Sequence, residues 1–302
     1  MSLLIDLLSK RVPQANGSPY EAMRCLVASL RKETSLANPL TQFGKYLDAR
    51  RVLEHAEARD LNSDGYIQPL GRSFEQGFRM VLRTGSPEAR RRFTAAHELC
   101  HTFFYQLVPE IKFALTEVDP VEERLCNFGA AELLIPEVEL KAQLDERDPS
   151  LLTLVTLAKH FRASTEAMLL RLRSLNLWYC DLSLWHRRSD GTYVLDRIFG
   201  GDKQRWYWGY PETVQKTWDT AGSKLVSGWA HIFYFDEGRN VPLAKRVHVQ
   251  SVNRGDSVLV LWSERELGGN KRRNLPLFDR KRKRPIHSHA QTAAEYPRGR
   301  CK

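Results

Sequence analysis

Phe93-Thr94-Ala95-Ala96-His97-Glu98-Leu99-Cys100-His101-Thr102-Phe103-Phe104-Tyr105 is the stretch on which the reading of this chain turns. Residues four apart on an α-helix lie about 40° from each other around the axis, so the imidazoles of His97 and His101 project from one face and can meet one metal ion. Glu98 then stands beside that ion, better suited to holding a water than to ligating. The chemistry requires a helix, and the flanks supply one. Ser86-Pro87-Glu88 reads as an N-cap with proline at the first helical position, and Phe93, Ala96, Leu99 and Phe103 recur at helical spacing, which predicts a helix over 87–107. A chance match to this five-residue pattern is expected in about one or two chains per hundred, and would amount to two helix histidines bonded to water or side chains.

A catalytic zinc takes three protein ligands and keeps one position open, so a further donor must come from elsewhere. Asp119-Pro120-Val121-Glu122-Glu123-Arg124-Leu125-Cys126-Asn127-Phe128-Gly129-Ala130-Ala131-Glu132-Leu133-Leu134-Ile135-Pro136 offers three glutamates. Asp119 reads as an N-cap with Pro120 at N1, which places Glu122 at N3 in a capping box, bonded back to the backbone. Glu132 is about 180° from Glu123 around the same helix. Glu123 is left free for the metal, with Asn127 and the small Ala130 and Ala131 on its side. Taken without the HExxH helix, Glu123 reads as a solvated surface carboxylate.

With both segments in view, the chain resembles the ImmA/IrrE metallopeptidase family, whose pattern is FTxAHELGH followed by E-x-x-A-N-x-F-A-A-E-L-L-x-P. The resemblance covers roughly residues 15–175 and rests on the two motifs. It implies an α+β architecture: a mainly helical zincin-like metallopeptidase domain with a small β-sheet. It implies Zn²⁺, with Mn²⁺ as a substitute, ligated by His97, His101 and Glu123, and Glu98 as general base in peptide-bond hydrolysis. The substrate it implies is a helix-turn-helix repressor whose cleavage releases prophage, mobile-element or stress-response genes. Two departures stand out. Cys100 occupies the place of the pattern's Gly, and Cys126-Asn127-Phe128-Gly129 stands where the pattern has Ala-Asn-x-Phe. The competing reading is a non-proteolytic transcriptional regulator that binds DNA or a repressor, with zinc as a structural staple.

Around the motifs, Tyr20 to Leu36 and Pro39 to Ala58 read as helices, and Gly65 to Leu70 and Phe74 to Leu82 as short strands. Phe78 to Leu82 is the expected edge for a substrate backbone added as a strand, with a purely structural sheet as the equal alternative. Tyr105 and His231 are candidate oxyanion donors. Residues 1–148 are therefore assigned to the peptidase domain. Residues 149–176 resemble a helix-turn-helix, but a second helix carrying Glu166, Met168 and Leu169 is a poor reader of bases.

Beyond residue 176 the texture changes. All seven tryptophans fall there, with alternating segments at Trp229 to Phe235 and Val258 to Trp262, which predicts a β-rich C-terminal domain over 177–270. Its aromatics suit an ordinary β core better than nucleic-acid stacking. Residues 271–302 hold eleven Lys or Arg against two acidic residues, so nine of the net +10 charges sit in a disordered basic tail. That tail is a candidate contact for nucleic acid or an acidic partner. An apolar N-terminal leader and an 18-residue apolar run are both missing, and the five cysteines show no disulfide spacing, which predicts a cytoplasmic protein without membrane contact. Cys100 and Cys126 flank the site and are candidates for redox modulation, although a buried Cys is usually a small hydrophobe.

Overall fold

The computed structural model describes residues 6, 8, 10–12, 17–34, 43–112, 119–144, 147–190, 193–200, 206–208, 225–235 and 243–268, so the expected basic tail lies outside the described residues. The chain divides into two compact units. Among the described residues, one unit holds those up to Glu139 together with Phe161–Ala163, and the other holds Leu140–His160 and those from Ser164 to Gly268.

In the first unit, α1 (Pro19–Glu33) and α2 (Phe43–Ala49) precede a sheet of β1 (Val52–Ala58), β2 (Gly65–Pro69) and β3 (Phe78–Arg83). The helices α3 (Glu88–Leu107), α4 (Pro109–Lys112), α5 (Pro120–Leu134) and α6 (Glu137–Leu144) follow, the last beginning at the edge of this unit. The sheet has the order β1-β3-β2, with β3 parallel to β1 and antiparallel to β2. Residues 52–58 were expected to continue a helix, and they form a strand instead. Leu53, Glu54, Ala56 and Glu57 favour helix, but Arg51 takes a left-handed conformation (φ 56°) that ends α2, and pairing with β3 outweighs local propensity. Glu54 pairs with Arg79 and Glu57 with Arg91, which tie β1 to β3 and α3.

α3 is the spine of this unit. Ala96, Leu99, Phe103 and Phe104 are buried along it, packed toward Phe78, Met80 and Leu82 of β3 and Leu125, Cys126, Ala130 and Leu133 of α5. Each fully buried Leu or Phe contributes about 1.5–3 kcal/mol by removal from water. Arg50, just after α2, is buried against α3. Its guanidinium lies 4.2 Å from the Phe103 ring centroid and 4.7 Å from that of Phe74, and it donates to Thr102 Oγ1 (2.8 Å) and Gln106 Oε1 (2.7 Å). At Gly65 an added Cβ would fall 2.8 Å from Thr94 Cγ2 and 2.9 Å from the Val81 carbonyl, so only glycine lets β2 lie this close to α3.

The second unit holds α7 (Leu151–His160), α8 (Thr165–Ser174) and a six-stranded antiparallel sheet. Its strands are β4 (Asp181–Arg187), β5 (Tyr193–Phe199), β6 (Trp206–Trp208), β7 (Val226–Phe235), β8 (Leu243–Asn253) and β9 (Ser257–Ser263), in the order β5-β4-β9-β8-β7-β6. The helix pair, expected as a segment of its own, shares this unit with the sheet except for its turn. Gln250 Oε1 accepts from the Leu151 backbone N–H (2.8 Å), and Arg254 donates to Thr165 Oγ1 (2.8 Å). Met168, Leu169, Arg171 and Leu172 of α8 are buried, and Arg173 is held by the Cys180 carbonyl and Asp181. Trp185, Tyr193, Val249, Val258, Val260 and Trp262 belong to the core of the sheet. Ser183 Oγ accepts from both the Trp185 and Trp262 indoles, at 2.8 and 2.6 Å, which satisfies two buried donors with one hydroxyl. Trp229 is 44% exposed, with Arg246 stacked 4.7 Å from its centroid. Among the described residues, no helix is long and apolar enough to cross a membrane.

Candidate metal centre

α3 and α5 bring the chemistry together. α3 starts one residue later than expected, with Pro87 at the N-cap and no side-chain cap. α5 is capped as expected, Asp119 accepting from the Val121 N–H at 2.7 Å with proline at the first position. On α3, His97 and His101 present their Nε2 atoms 3.1 Å apart. Glu123 on α5 faces both, with Oε2 3.2 Å from His97 Nε2 and Oε1 3.2 Å from His101 Nε2. Four bonds of about 2.0 Å in a tetrahedron have edges of about 3.3 Å, so three donors at this spacing fit one small divalent cation.

The electrostatics agree with a cation site. Burial alone would raise the Glu123 carboxyl, yet its contacts with His101 and His97 hold it well below the usual carboxylate range. Burial also works against a charged His101, but Cys126, Glu122 and Glu123 outweigh it and push its pKa well above the ordinary value. The acidic groups around this ring would also stabilise a cation held at Nε2, which takes the place of a proton there.

Each imidazole has a partner behind it. His97 Nδ1 lies 3.0 Å from Asn127 Oδ1, and His101 Nδ1 lies 2.6 Å from Glu122 Oε1. With Nδ1–H donating to these oxygens, the Nε2 lone pairs are turned toward Glu123. The expected capping box at Glu122 is absent from α5. Glu122 is fully buried and bonded to His101 and Lys112, because the interior of the unit, not the helix terminus, is what its side chain reaches. Asn127 was legible as one turn beyond Glu123. Lys112 carried no sequence signal, since nothing local says that a lysine ending α4 returns to this site.

His101, Glu122 and Cys126 form a second group of donors that lie within 4.8 Å of one another. Both oxygens of Glu122 contact Lys112 Nζ, at 2.6 and 2.8 Å, so an ammonium already answers that carboxylate and a metal is better served by the Nε2 side. Cys126 and Cys100 are buried, and burial pushes the Cys126 thiol up to about 11 and the Cys100 thiol well above its ordinary value.

Glu98 is buried next to the histidines. Burial raises its carboxyl, partly offset by His101, His97 and a hydrogen bond from the Ile67 backbone. That bond also corrects the expected docking edge. β3, residues 78–83, is paired on both sides and has no free edge for another strand. The edge beside Glu98 belongs to β2. Bonds from Leu70 N–H to the Gly77 carbonyl and from Arg83 N–H to the Asp64 carbonyl set the alternation, which turns the Ile67 backbone groups away from β3. Of the two oxyanion candidates, Tyr105 lies on α3 with its ring 5.3 Å from Phe78, whereas His231 is an exposed residue of the other unit.

The departures at Cys100 and Gly129 meet in space. A Cβ at Gly129 would lie 2.7 Å from Cys100 Sγ and 2.9 Å from Met23 Sδ. Where the pattern has Gly on α3 and Phe on α5, this chain has a thiol on α3 and no side chain opposite it. The aromatic ring sits one position earlier, as Phe128, edge-on to Tyr20 at 5.3 Å.

The family model Peptidase_M78, described as the IrrE N-terminal-like domain, matches residues 58–173. This is shorter at the N-terminal side than the resemblance in sequence and leaves α1 and α2 outside it. No curated protein matches. Among solved structures, a Mycobacterium tuberculosis transcriptional regulator is similar at 11% identity, covering 86% of this chain and 79% of that one, with a TM-score of 0.42. A likeness that loose carries no argument about fold or function.

Proposed function

Residues 58–173 are a peptidase domain of the ImmA/IrrE family, and from that premise we propose that the protein is a zinc-dependent endopeptidase in which His97, His101 and Glu123 hold the metal and Glu98 is the general base. The observation that carries this reading is the convergence of His97 Nε2, His101 Nε2 and the two Glu123 oxygens, with contacts of 3.1–3.2 Å, beside a buried glutamate. Zinc, when bound, supplies Lewis acidity that lowers the pKa of a water and polarises a carbonyl, and Mn²⁺ is a workable substitute.

The protein's own residues do the rest. Asn127 and Glu122 orient the two imidazoles. Glu98 takes the proton from the water that attacks the scissile carbonyl, then delivers it to the leaving amine, so the proton is conserved across the two steps. Burial favours this role, because a carboxylate whose pKa is raised is a stronger base once ionised. The carbonyls of Ile67 and Pro69 face the outer edge of β2, where an extended substrate backbone would add as a strand.

The substrate is a helix-turn-helix repressor, cut to release the genes it silences, as family membership implies. A role in reading DNA draws no support from α8, whose middle residues are buried and whose Arg173 is already paired. The test is incubation of the purified protein with the repressor encoded beside its gene, with Zn²⁺ or Mn²⁺ and after chelation. Cleavage that requires metal and disappears in Glu98→Gln supports the peptidase. Intact repressor with an altered DNA complex contradicts it.

A further inference from the structure

We propose that Glu122 and Lys112 are positioning residues for His101, an inference that rests on the metal reading above. Successive residues on a helix point about 100° apart, so Glu122 and Glu123 leave α5 in different directions and meet the same imidazole from its two nitrogens. Glu123 reaches the Nε2 side and Glu122 the Nδ1 side. Glu122 is fully buried, with Oε1 2.6 Å from His101 Nδ1 and also 2.6 Å from Lys112 Nζ, while Oε2 lies 2.8 Å from the same ammonium. Lys112 is buried too, with its Nζ 5.2 Å from the Tyr105 ring centroid.

A carboxylate removed from water is costly unless paired and hydrogen-bonded, and a buried ion pair adds little net stability. What this pair does is mechanical. Glu122 supplies a fixed acceptor for Nδ1–H, which sets the ring angle and leaves Nε2 directed at Glu123 and His97. Lys112 grips both oxygens and fixes the plane of that carboxylate. The short helix α4, closed by Lys112 N–H to the Val108 carbonyl at 3.0 Å, is what returns the ammonium to the site after α3 ends. His97 is held by a neutral amide instead, so the two rings are oriented by different chemistry.

The full-length protein tests this with two double variants, both free of an orphaned charge: Lys112→Met with Glu122→Gln, and Lys112→Met with Glu122→Ala. The first keeps an acceptor for His101, and the second removes it. Zinc affinity is read by competition with a chromogenic chelator, ring geometry by the d–d bands of Co²⁺-loaded protein, and folding by thermal melting. The Gln variant should bind zinc close to the parent, and the Ala variant about 10–100-fold more weakly with altered d–d bands. Lys112→Met alone, with the carboxylate left unpaired, should fall below the Gln double variant. Equal zinc affinity and identical Co²⁺ spectra in the two double variants would overturn the proposal, whatever their melting temperatures. A parent that binds no zinc at all would overturn the metal reading itself, which separates the two failures.

Discussion

Gly129→Ala is the substitution whose cost can be worked most directly from the structure. The new Cβ would sit 2.7 Å from Cys100 Sγ, 2.9 Å from Met23 Sδ and 3.0 Å from Met23 Cγ. Comfortable heavy-atom contacts are about 3.5–4.0 Å, so the methyl intrudes by about 1 Å. Met23 has three rotatable bonds and can withdraw, but the Cys100 thiol turns about one bond in a packed helix interface. Overpacking of this kind costs about 2–3 kcal/mol, near the upper end of its usual range. Alanine in place of glycine inside a helix returns about 1 kcal/mol, which leaves a net loss of roughly 1–2 kcal/mol. In a Cys100→Ala background the sulfur is gone, and the same substitution should be neutral or stabilising by up to about 1 kcal/mol. The coupling between the two sites is then about 2 kcal/mol, well above the additivity error for independent positions. Hydrogen exchange of the α3 and α5 amides reads this locally, without requiring a chain of two compact units to unfold in one step. An equal cost in both backgrounds would show that the exchange of side-chain volume across this interface is not what Gly129 is for.

The remaining expectations concern the site. Glu98→Gln should retain zinc and the melting temperature while the hydrolysis rate falls by about 10²–10⁴-fold, measured on cleaved repressor. In the metal-free protein burial raises the Glu98 carboxyl, so its carboxyl carbon resonance, assigned with Glu98→Gln, should titrate above the ordinary carboxylate value; a midpoint at or below pH 4.5, the unshifted value, would count against this. Asn127→Ala removes the acceptor 3.0 Å from His97 and should weaken zinc binding by about 10–100-fold, with Asn127→Asp close to the parent. The buried, high-pKa thiols of Cys100 and Cys126 should resist peroxide in the folded protein, checked by mass mapping; zinc loss that a Cys100→Ser, Cys126→Ser variant escapes would restore them as redox elements.

Helical periodicity made His97 and His101 legible, because four residues is close to one turn whatever surrounds the helix. Glu123 was singled out by elimination, and one step of that elimination differs from the structure. Glu122 was set aside as a capping residue but is buried behind His101, since a sequence does not say whether a first-turn glutamate faces solvent or the interior. Residues 52–58 look helical because β1 is exposed on both faces and shows no alternation; its strand character comes from β3, which lies more than twenty residues away. The edge beside the site was placed on β3 and lies on β2, because strand order is a property of pairing and is not written into either strand. Lys112 was invisible for the same reason: its partner is ten residues away, on a different helix.

Zinc K-edge X-ray absorption on the purified, zinc-loaded protein tests the central claim most directly. The account predicts one zinc bound by two imidazole nitrogens and oxygen donors at about 2.0–2.1 Å, with no sulfur in the shell. A sulfur at about 2.3 Å would place the ion on the group that includes Cys126, and would contradict the assignment of His97, His101 and Glu123.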